Sequence, residues 1–267
     1  MGNLDGKVAL VTGAGKTDGI GFATCVKLAE AGAKVVITDL VSTDEQRALL
    51  DARVADIKAL GAEAIGCALD VTKREDAQKA TELAVEVFGG IDILFNNAGW
   101  IGGIGPCLEQ TDDQFMLSWN VNVMGTLNMC RAVIPIMQRA GGGSIINNSS
   151  VAGISVVAGE GAYTSSKHAV VALTKTLALE HGADKIRVNT VCPGSIMTSA
   201  IKDYMDKARG EGESDEDVYR RLTPEVPLQR AGDPGEIGDA VVYLGSDLAS
   251  YVTGIAFPVH GGMTSGL

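Results

Sequence analysis

Tyr163 and Lys167 stand four residues apart in Tyr163-Thr164-Ser165-Ser166-Lys167, so on a helix they share one face. A phenol beside an ammonium group is proton-transfer equipment. An unperturbed phenol, with a pKa near ~10, is a poor base at neutral pH. Making it one requires a fall of about 3 units, roughly 4 kcal/mol of preferential stabilisation of the phenolate, and a nearby cation acts in that direction. Ser150 lies 13 residues upstream, just past an apolar run, where its hydroxyl can hold a substrate oxygen close to the phenol. Asn122 falls within an earlier helical stretch. Each residue taken alone also has an ordinary structural use: Tyr163 as an amphipathic core residue, Ser150 as a turn former, Asn122 as a polar residue bending a helix. Their joint occurrence favours chemistry.

A second cluster lies near the start. Thr12-Gly13-Ala14-Gly15-Lys16-Thr17-Asp18-Gly19-Ile20-Gly21 joins an apolar strand to a helix. Glycines there let the backbone turn tightly and approach a pyrophosphate, whose charge a helix N-terminus favours. Asp39 ends the next strand. A carboxylate at that place accepts hydrogen bonds from ribose hydroxyls and repels a 2′-phosphate, which favours NAD over NADP. Lys16 is a counter-signal if it pairs with a 2′-phosphate, and no signal if it merely faces solvent.

Positioning these groups requires a framework, and short apolar runs alternate with amphipathic stretches along the chain. Strands are expected at Val8–Val11, Lys34–Asp39, Ala64–Ala68, Ile91–Phe95, Ser144–Asn147 and Ile186–Val191, with helices at Gly19–Gly32, Asp44–Leu60 and Glu75–Phe88. Strands apolar on consecutive residues belong to a parallel sheet covered on both faces, here an α/β, doubly wound, Rossmann-type fold. Val121–Met137 and Ala169–Leu179 are apolar nearly all round, so one side should meet the sheet and the other either a partner subunit or loops of the same chain. Lys202–Arg221 is charged and poor in apolar residues, and reads as a mobile surface segment.

In order along the chain, Thr12–Gly21, Asp70-Val71, Asn96-Asn97-Ala98-Gly99, Asn122, Ser150, Tyr163-x-x-x-Lys167 and Pro193-Gly194 with Thr198 closely resemble the classical short-chain dehydrogenase/reductase family, over essentially the whole chain. The resemblance implies one domain over residues 1–267 and a seven-stranded sheet in the order 3-2-1-4-5-6-7, usually in a homotetramer or homodimer. It implies a catalytic set of Asn122, Ser150, Tyr163 and Lys167. Tyr163 would be the acid/base, Ser150 the holder of the substrate oxygen, and Lys167 a partner of the nicotinamide ribose; Asn122 would position a water in a proton relay. For the cofactor it implies Gly13, Gly15, Gly19, Ile20 and Gly21 around the pyrophosphate, Asp39 at the adenosine ribose, Asp70 and Val71 at the adenine, and Asn97, Ala98 and Gly99 near the ribose. Tyr163 and Lys167 also reach the cofactor, and Pro193, Gly194, Ile196 and Thr198 close over the nicotinamide. Substrate would lie against Ser150, Tyr163, Ser195, the loop after Gly99 and the segment after Gly194. Trp100 is either an apolar wall there or a packing residue, and Glu160 either binds a polyol hydroxyl or faces solvent. A lid over residues 199–226, with Arg220 or Arg221 available to an anionic group, is a further expectation.

The sequence departs from the family in two places. Five residues separate Gly13 from Gly19 where three are usual, so Thr17-Asp18 reads as an insertion and Asp18 must point away from the pyrophosphate. His260 stands where the family commonly has Asp.

The bulk numbers set outer bounds. A chain of 267 residues with 46% hydrophobic residues can bury one large core. A net charge of −11 argues against nucleic acid and anionic membranes as partners. Five dispersed cysteines read as reduced thiols, no apolar run is long enough to span a bilayer, and three scattered histidines give no metal site. A cytoplasmic oxidoreductase is expected, moving a hydride between a nicotinamide and a secondary alcohol, whether sugar, steroid or other cyclic or polyol compound. The alternatives are an NADP-preferring ketone reductase and a non-catalytic dinucleotide sensor.

Overall fold

The computed structural model describes residues 3–263, the side chain of Ala200 excepted. Seven strands, β1 (Val8–Val11), β2 (Lys34–Asp39), β3 (Ala64–Ala68), β4 (Ile93–Asn96), β5 (Gly143–Asn148), β6 (Ile186–Pro193) and β7 (Ala256–Val259), form one sheet in the order β3-β2-β1-β4-β5-β6-β7. Every pairing is parallel.

Strand alternation divides the core between the two faces. Val11, Ile37, Phe95 and Ile146 point to one side. They pack there on α1 (Ile20–Glu30), α2 (Asp44–Ala59) and α9 (Pro234–Gly245). Leu10, Val36, Leu94 and Ile145 point to the other side. Their partners come from α3 (Arg74–Phe88), α5 (Thr126–Ala140) and α6 (Gly161–His181). Close approach of α9 to α1 needs Gly238, where a Cβ would come within 2.8 Å of the Lys27 side chain.

The apolar stretch expected as one helix from Val121 is longer and less regular. It begins with α4 (Asp112–Ser118), opens into a π-helical turn at Trp119–Gly125, and continues as α5. That turn carries Asn122.

The charged stretch read as a mobile surface segment is instead two helices, α7 (Ser199–Ala208) and α8 (Asp215–Leu222). Ser214 caps α8, and Asp215, Glu216 and Asp217 sit in its first turn, where the helix dipole favours them. Met205, Val218, Tyr219 and Val226 form a small buried cluster of their own beneath the pair. Arg209 pairs with Asp206 and Asp215, and Arg221 binds Glu213 through Nε at 2.9 Å and Nη2 at 2.7 Å. Arg221 is therefore committed within the segment, not held free for an anion. Arg220 reaches Asp217 at 3.6 Å.

A row of buried polar side chains crosses the sheet. Asn96 donates to Asn147 at 2.8 Å, Asn147 to Thr174 at 2.8 Å, and Thr190 to Thr174 at 2.7 Å. Asn96, Asn147 and Thr190 occupy matched positions on β4, β5 and β6. Among the described residues, no helix is long and apolar enough to cross a membrane.

Candidate active site

All the loops carrying candidate residues leave the carboxyl ends of the strands. The order reverses at β1, which pairs with β2 on one side and β4 on the other, and a crevice opens there. Two adjoining clefts occupy it. One, of about 630 Å³, is lined by Gly13, Asp39, Asp70, Val71, Ala98 and Gly99 among others. The second, of about 420 Å³, holds Ser150, Glu160, Tyr163 and Lys167 with Gly19, Ile20, Pro193, Gly194, Ser195, Ile196 and Thr198. Gly13, Lys16, Asn97, Gly99 and Trp100 border both.

The first cleft fits a dinucleotide. Gly13 has φ +67°, and a Cβ there would lie 2.8 Å from the Ala98 backbone. A Cβ on Gly21 would lie 2.4 Å from the Gly13 carbonyl oxygen, and one on Gly15 would lie 2.8 Å from the Asp39 carboxylate. Backbone thus approaches backbone too closely for side chains, leaving the N-terminus of α1, which no side chain caps, open to an anion. The Asp39 carboxylate accepts from the Gly15 and Leu40 amides, which fixes it at the rim. Asp70 accepts from the Thr72 amide and hydroxyl. Burial opposes its charge, yet the Thr72 bonds and nearby Lys73 hold its carboxyl below the ordinary range.

Asn97 lies on the cleft, and its side chain acts as a brace. Its Nδ2 donates to the Thr12 and Gly13 carbonyls and its Oδ1 accepts from Asn148, tying together the loops after β1, β4 and β5. Thr12 Oγ1 accepts from the Asn97 and Ala98 amides.

Tyr163 and Lys167 share a face of α6, with the Lys167 nitrogen 5.4 Å from the centre of the Tyr163 ring. Ser150 follows β5; its hydroxyl accepts from the Ala152 amide at 3.1 Å and is close enough to the Tyr163 phenol to favour the phenolate. Lys167 is buried and donates to the Asn148 carbonyl at 2.7 Å. Burial pushes the phenol up to about 12; the Ser150 bond works against this, while the Glu160 and Cys192 charges add to it. Burial likewise pushes the Lys167 ammonium down to about 8. At the phenol, burial therefore acts against the fall expected from the sequence. The ammonium lies over the ring face, and desolvation outweighs the Ser150 bond.

Asn122 sits deeper than its neighbours. Its Oδ1 accepts from the Trp100 amide at 2.7 Å, and its Nδ2 donates to the Trp100 carbonyl at 2.9 Å and to Ser166 at 2.8 Å. With both ends of its side chain engaged, it positions the Trp100 loop. Ser166 and Asn148 have no role assigned from the sequence, and Thr12 none beyond opening the glycine-rich turn. Each is a polar residue beside a motif, but only the closed fold gives it a partner.

Trp100 is half-exposed beside the second cleft, where Ile101, Val157, Ile201 and Met263 add apolar wall. Glu160 precedes α6. No hydrogen bond or ion pair joins its carboxylate to the described residues, and burial raises its pKa. Gly194 packs against His260, where a Cβ would meet the His260 backbone at 2.9 Å. Asp18 points out of the cradle and accepts from the Ser199 amide at 2.6 Å. Among the described residues, no three His, Cys, Asp or Glu side chains gather as a metal site requires.

Comparison with known proteins agrees with this geometry. A family model described as enoyl-(acyl carrier protein) reductase matches residues 13–264. The chain is 38% identical over 265 residues to dehydrogenase/reductase SDR family member 4 of Oryctolagus cuniculus, covering 99% of this chain and 96% of that one. It is 37% identical over 270 residues to the 2,5-dichloro-2,5-cyclohexadiene-1,4-diol dehydrogenase LinX of Sphingobium indicum, covering 99% and 98%. The crystal structure of NAD+-bound xylitol dehydrogenase superposes with a TM-score of 0.87 at 34% identity, covering 97% of this chain and 99% of that one. The chain belongs to the classical short-chain dehydrogenase/reductase family and is an oxidoreductase acting on CH–OH groups.

Proposed function

We propose that the protein is an NAD-dependent dehydrogenase of neutral secondary alcohols with a cyclic or polyol body. The observation that carries this reading is the convergence of Ser150, Tyr163 and Lys167 at the end of a cleft continuous with a glycine-lined cradle. When bound, the dinucleotide supplies the hydride acceptor and, in its oxidised form, a positive charge. Asp39 at the rim supports NAD, because it would repel a 2′-phosphate. Gly13, Gly15, Gly19, Ile20 and Gly21 would hold the pyrophosphate, Asp70 and Val71 the adenine, and Asn97, Ala98 and Gly99 the ribose. Pro193, Gly194, Ile196 and Thr198 would close over the nicotinamide.

The protein's own part is proton handling and orientation. Ser150 holds the alcohol oxygen against Tyr163, which would first release its own proton to solvent and, as phenolate beside the Lys167 ammonium and the positive charge of the oxidised dinucleotide, would then accept the hydroxyl proton. Lys167 bonds the ribose and keeps positive charge next to the ring. Asn122 acts chiefly by holding Trp100. In the reverse direction Tyr163 returns the proton to a ketone. The Ser150–Tyr163 pair addresses an oxygen, which favours alcohol and ketone substrates over a carbon–carbon double bond.

Substrate would be received by Trp100, Ser195 and Glu160. Trp100, Ile101, Val157 and Ile201 give apolar wall, and Glu160 brings a carboxylate with no hydrogen-bond or ion-pair partner among the described residues. That combination suits an apolar ring bearing a second hydroxyl and disfavours carboxylates. The diol named for the Sphingobium relative is of this kind, and the xylitol enzyme is named for an open-chain polyol that shares the additional hydroxyls but not the ring.

Exposed Met116, Leu117, Trp119 and Leu179 on the α4–α5 and α6 helices support self-association as a dimer or tetramer. Free cysteines support a cytoplasmic setting. The decisive experiment mixes the purified protein with NAD or NADP and a panel of cyclic alcohols, diols, sugars, steroids and hydroxy acids, and follows the absorbance of reduced cofactor. Neutral diols with NAD should lead. NAD binding without turnover of any alcohol would leave the sensor reading in its place.

A further inference from the structure

The inserted pair Thr17-Asp18 joins the glycine-rich loop to two other parts of the molecule. Thr17 Oγ1 accepts from Arg53 on α2, whose guanidinium lies 4.9 Å from the centre of the Phe22 ring and pairs with Asp56 at 2.8 Å. Asp18 Oδ2 accepts from the Ser199 amide, 181 residues along the chain. Ser199 is the first residue of α7, and Thr198 at its N-cap position makes no side-chain cap. Helix starts leave amides without intrahelical partners, and an acidic acceptor there also complements the dipole. Asp18 thus supplies from the cofactor loop the cap that α7 lacks locally. The residues flanking this bond, Lys16 and Gly19 on one side and Thr198 and Ile201 on the other, all line the catalytic cleft.

We propose that Asp18 is a positioning residue that fastens the start of α7 to the glycine-rich loop and so shapes the substrate side of the cleft. The α7–α8 pair has its own small core, separate from the two that flank the sheet, so the Asp18 bond ties the start of that unit to the cofactor loop. A loop that packs a pyrophosphate on one side and caps α7 on the other links the two sites: whatever steadies the loop steadies the helix, and the coupling is reciprocal.

The test is hydrogen exchange of α7 backbone amides in the cofactor-free protein, with steady-state kinetics alongside. Asp18→Ala should speed exchange across residues 199–208 by about fivefold, as expected for a lost helix cap. It should raise the KM for the alcohol about three- to fivefold while kcat changes less than twofold. Asp18→Asn keeps an oxygen acceptor and should restore both to within about twofold of the parent. Unchanged exchange in Asp18→Ala would overturn the proposal, as would Asp18→Asn failing as badly as Asp18→Ala. The exchange measurement needs no substrate, so it stands even if the assignment as an alcohol dehydrogenase fails.

Discussion

The Lys167 ammonium donates to the Asn148 carbonyl oxygen at 2.7 Å from a position almost without solvent. One hydrogen bond replaces only part of the hydration that an ammonium loses on burial, so the group gives up its proton more readily than an ordinary lysine, at about 8 instead of 10.5. Below pH 8 both folded and unfolded chains carry the proton, and the full cost falls on the folded state. Between about 8 and 10.5 the unfolded chain holds a proton that the folded one has released, so stability rises with pH through that window. Lys167→Met should therefore abolish turnover yet raise stability at pH 7 by about 1–3 kcal/mol, with the gain shrinking toward pH 10. Thermal melting of parent and variant at both pH values checks this. A lower Tm for the variant at pH 7 would contradict it.

Removing the phenolic oxygen alone isolates proton transfer. Tyr163→Phe keeps the ring beneath Lys167 and removes only the oxygen that Ser150 addresses. Turnover should fall by about 10³-fold or more while NAD affinity moves less than about threefold. Single-turnover hydride transfer and fluorescence titration of NADH separate the two. Retained activity would reassign the acid/base.

Asp39 is fixed by the Gly15 and Leu40 amides before any ribose arrives, so it is pre-organised to select. Asp39→Ala should lower kcat/KM for NAD about tenfold and narrow or invert the preference over NADP. Kinetics with both cofactors read this directly. An unchanged ratio would place the specificity elsewhere.

Glu160 makes two separable contributions. As an acceptor facing apolar walls, it should favour diols, so Glu160→Gln should cut kcat/KM for a cyclic diol about tenfold more than for the plain cyclic alcohol. As a negative charge near Tyr163, it raises the phenol pKa, and its removal lets the phenolate form at lower pH. The pH profile for oxidation should shift toward acid in the variant. Equal changes on both substrates would remove the diol role, and an unshifted profile would remove the electrostatic one.

Gly21→Ala tests the cradle itself. The new Cβ would lie 2.4 Å from the Gly13 carbonyl oxygen and 2.6 Å from Asn97 Nδ2, so the loop must move. NAD affinity should fall at least about tenfold, with circular dichroism unchanged.

Five of the seven strands were legible because their apolar runs are nearly unbroken, the mark of strands covered on both faces, while β3, a partly exposed edge strand, gave a weaker signal. β7 escaped notice: it is four residues long, includes Pro258, and lies at the sheet edge, where burial imposes less pattern. Helix α9 did announce itself, with Asp233 and Glu236 forming a capping box around Pro234, and reading that signal would have located it. Helices α7 and α8 were illegible for a different reason. Their charges satisfy one another through pairs such as Arg221–Glu213, which composition alone cannot distinguish from solvated charge. The chemical groups were legible by type and spacing. The supporting contacts of Asn122 with Trp100 and Ser166 were not, since they arise only when the π-helical turn, the loop after β4 and α6 meet.

The row of amides and hydroxyls through Asn96, Asn147, Thr174 and Thr190 bears on how the chain finds this structure. Apolar side chains tolerate many pairings of similar volume, but these polar groups match only when β4, β5 and β6 are aligned to the residue. A one-step slip would strand several of them in a dry interior at about 1–3 kcal/mol each. Alignment of β4, β5 and β6 is thereby specified to the residue by polar complementarity, where volume alone would leave several pairings close in energy.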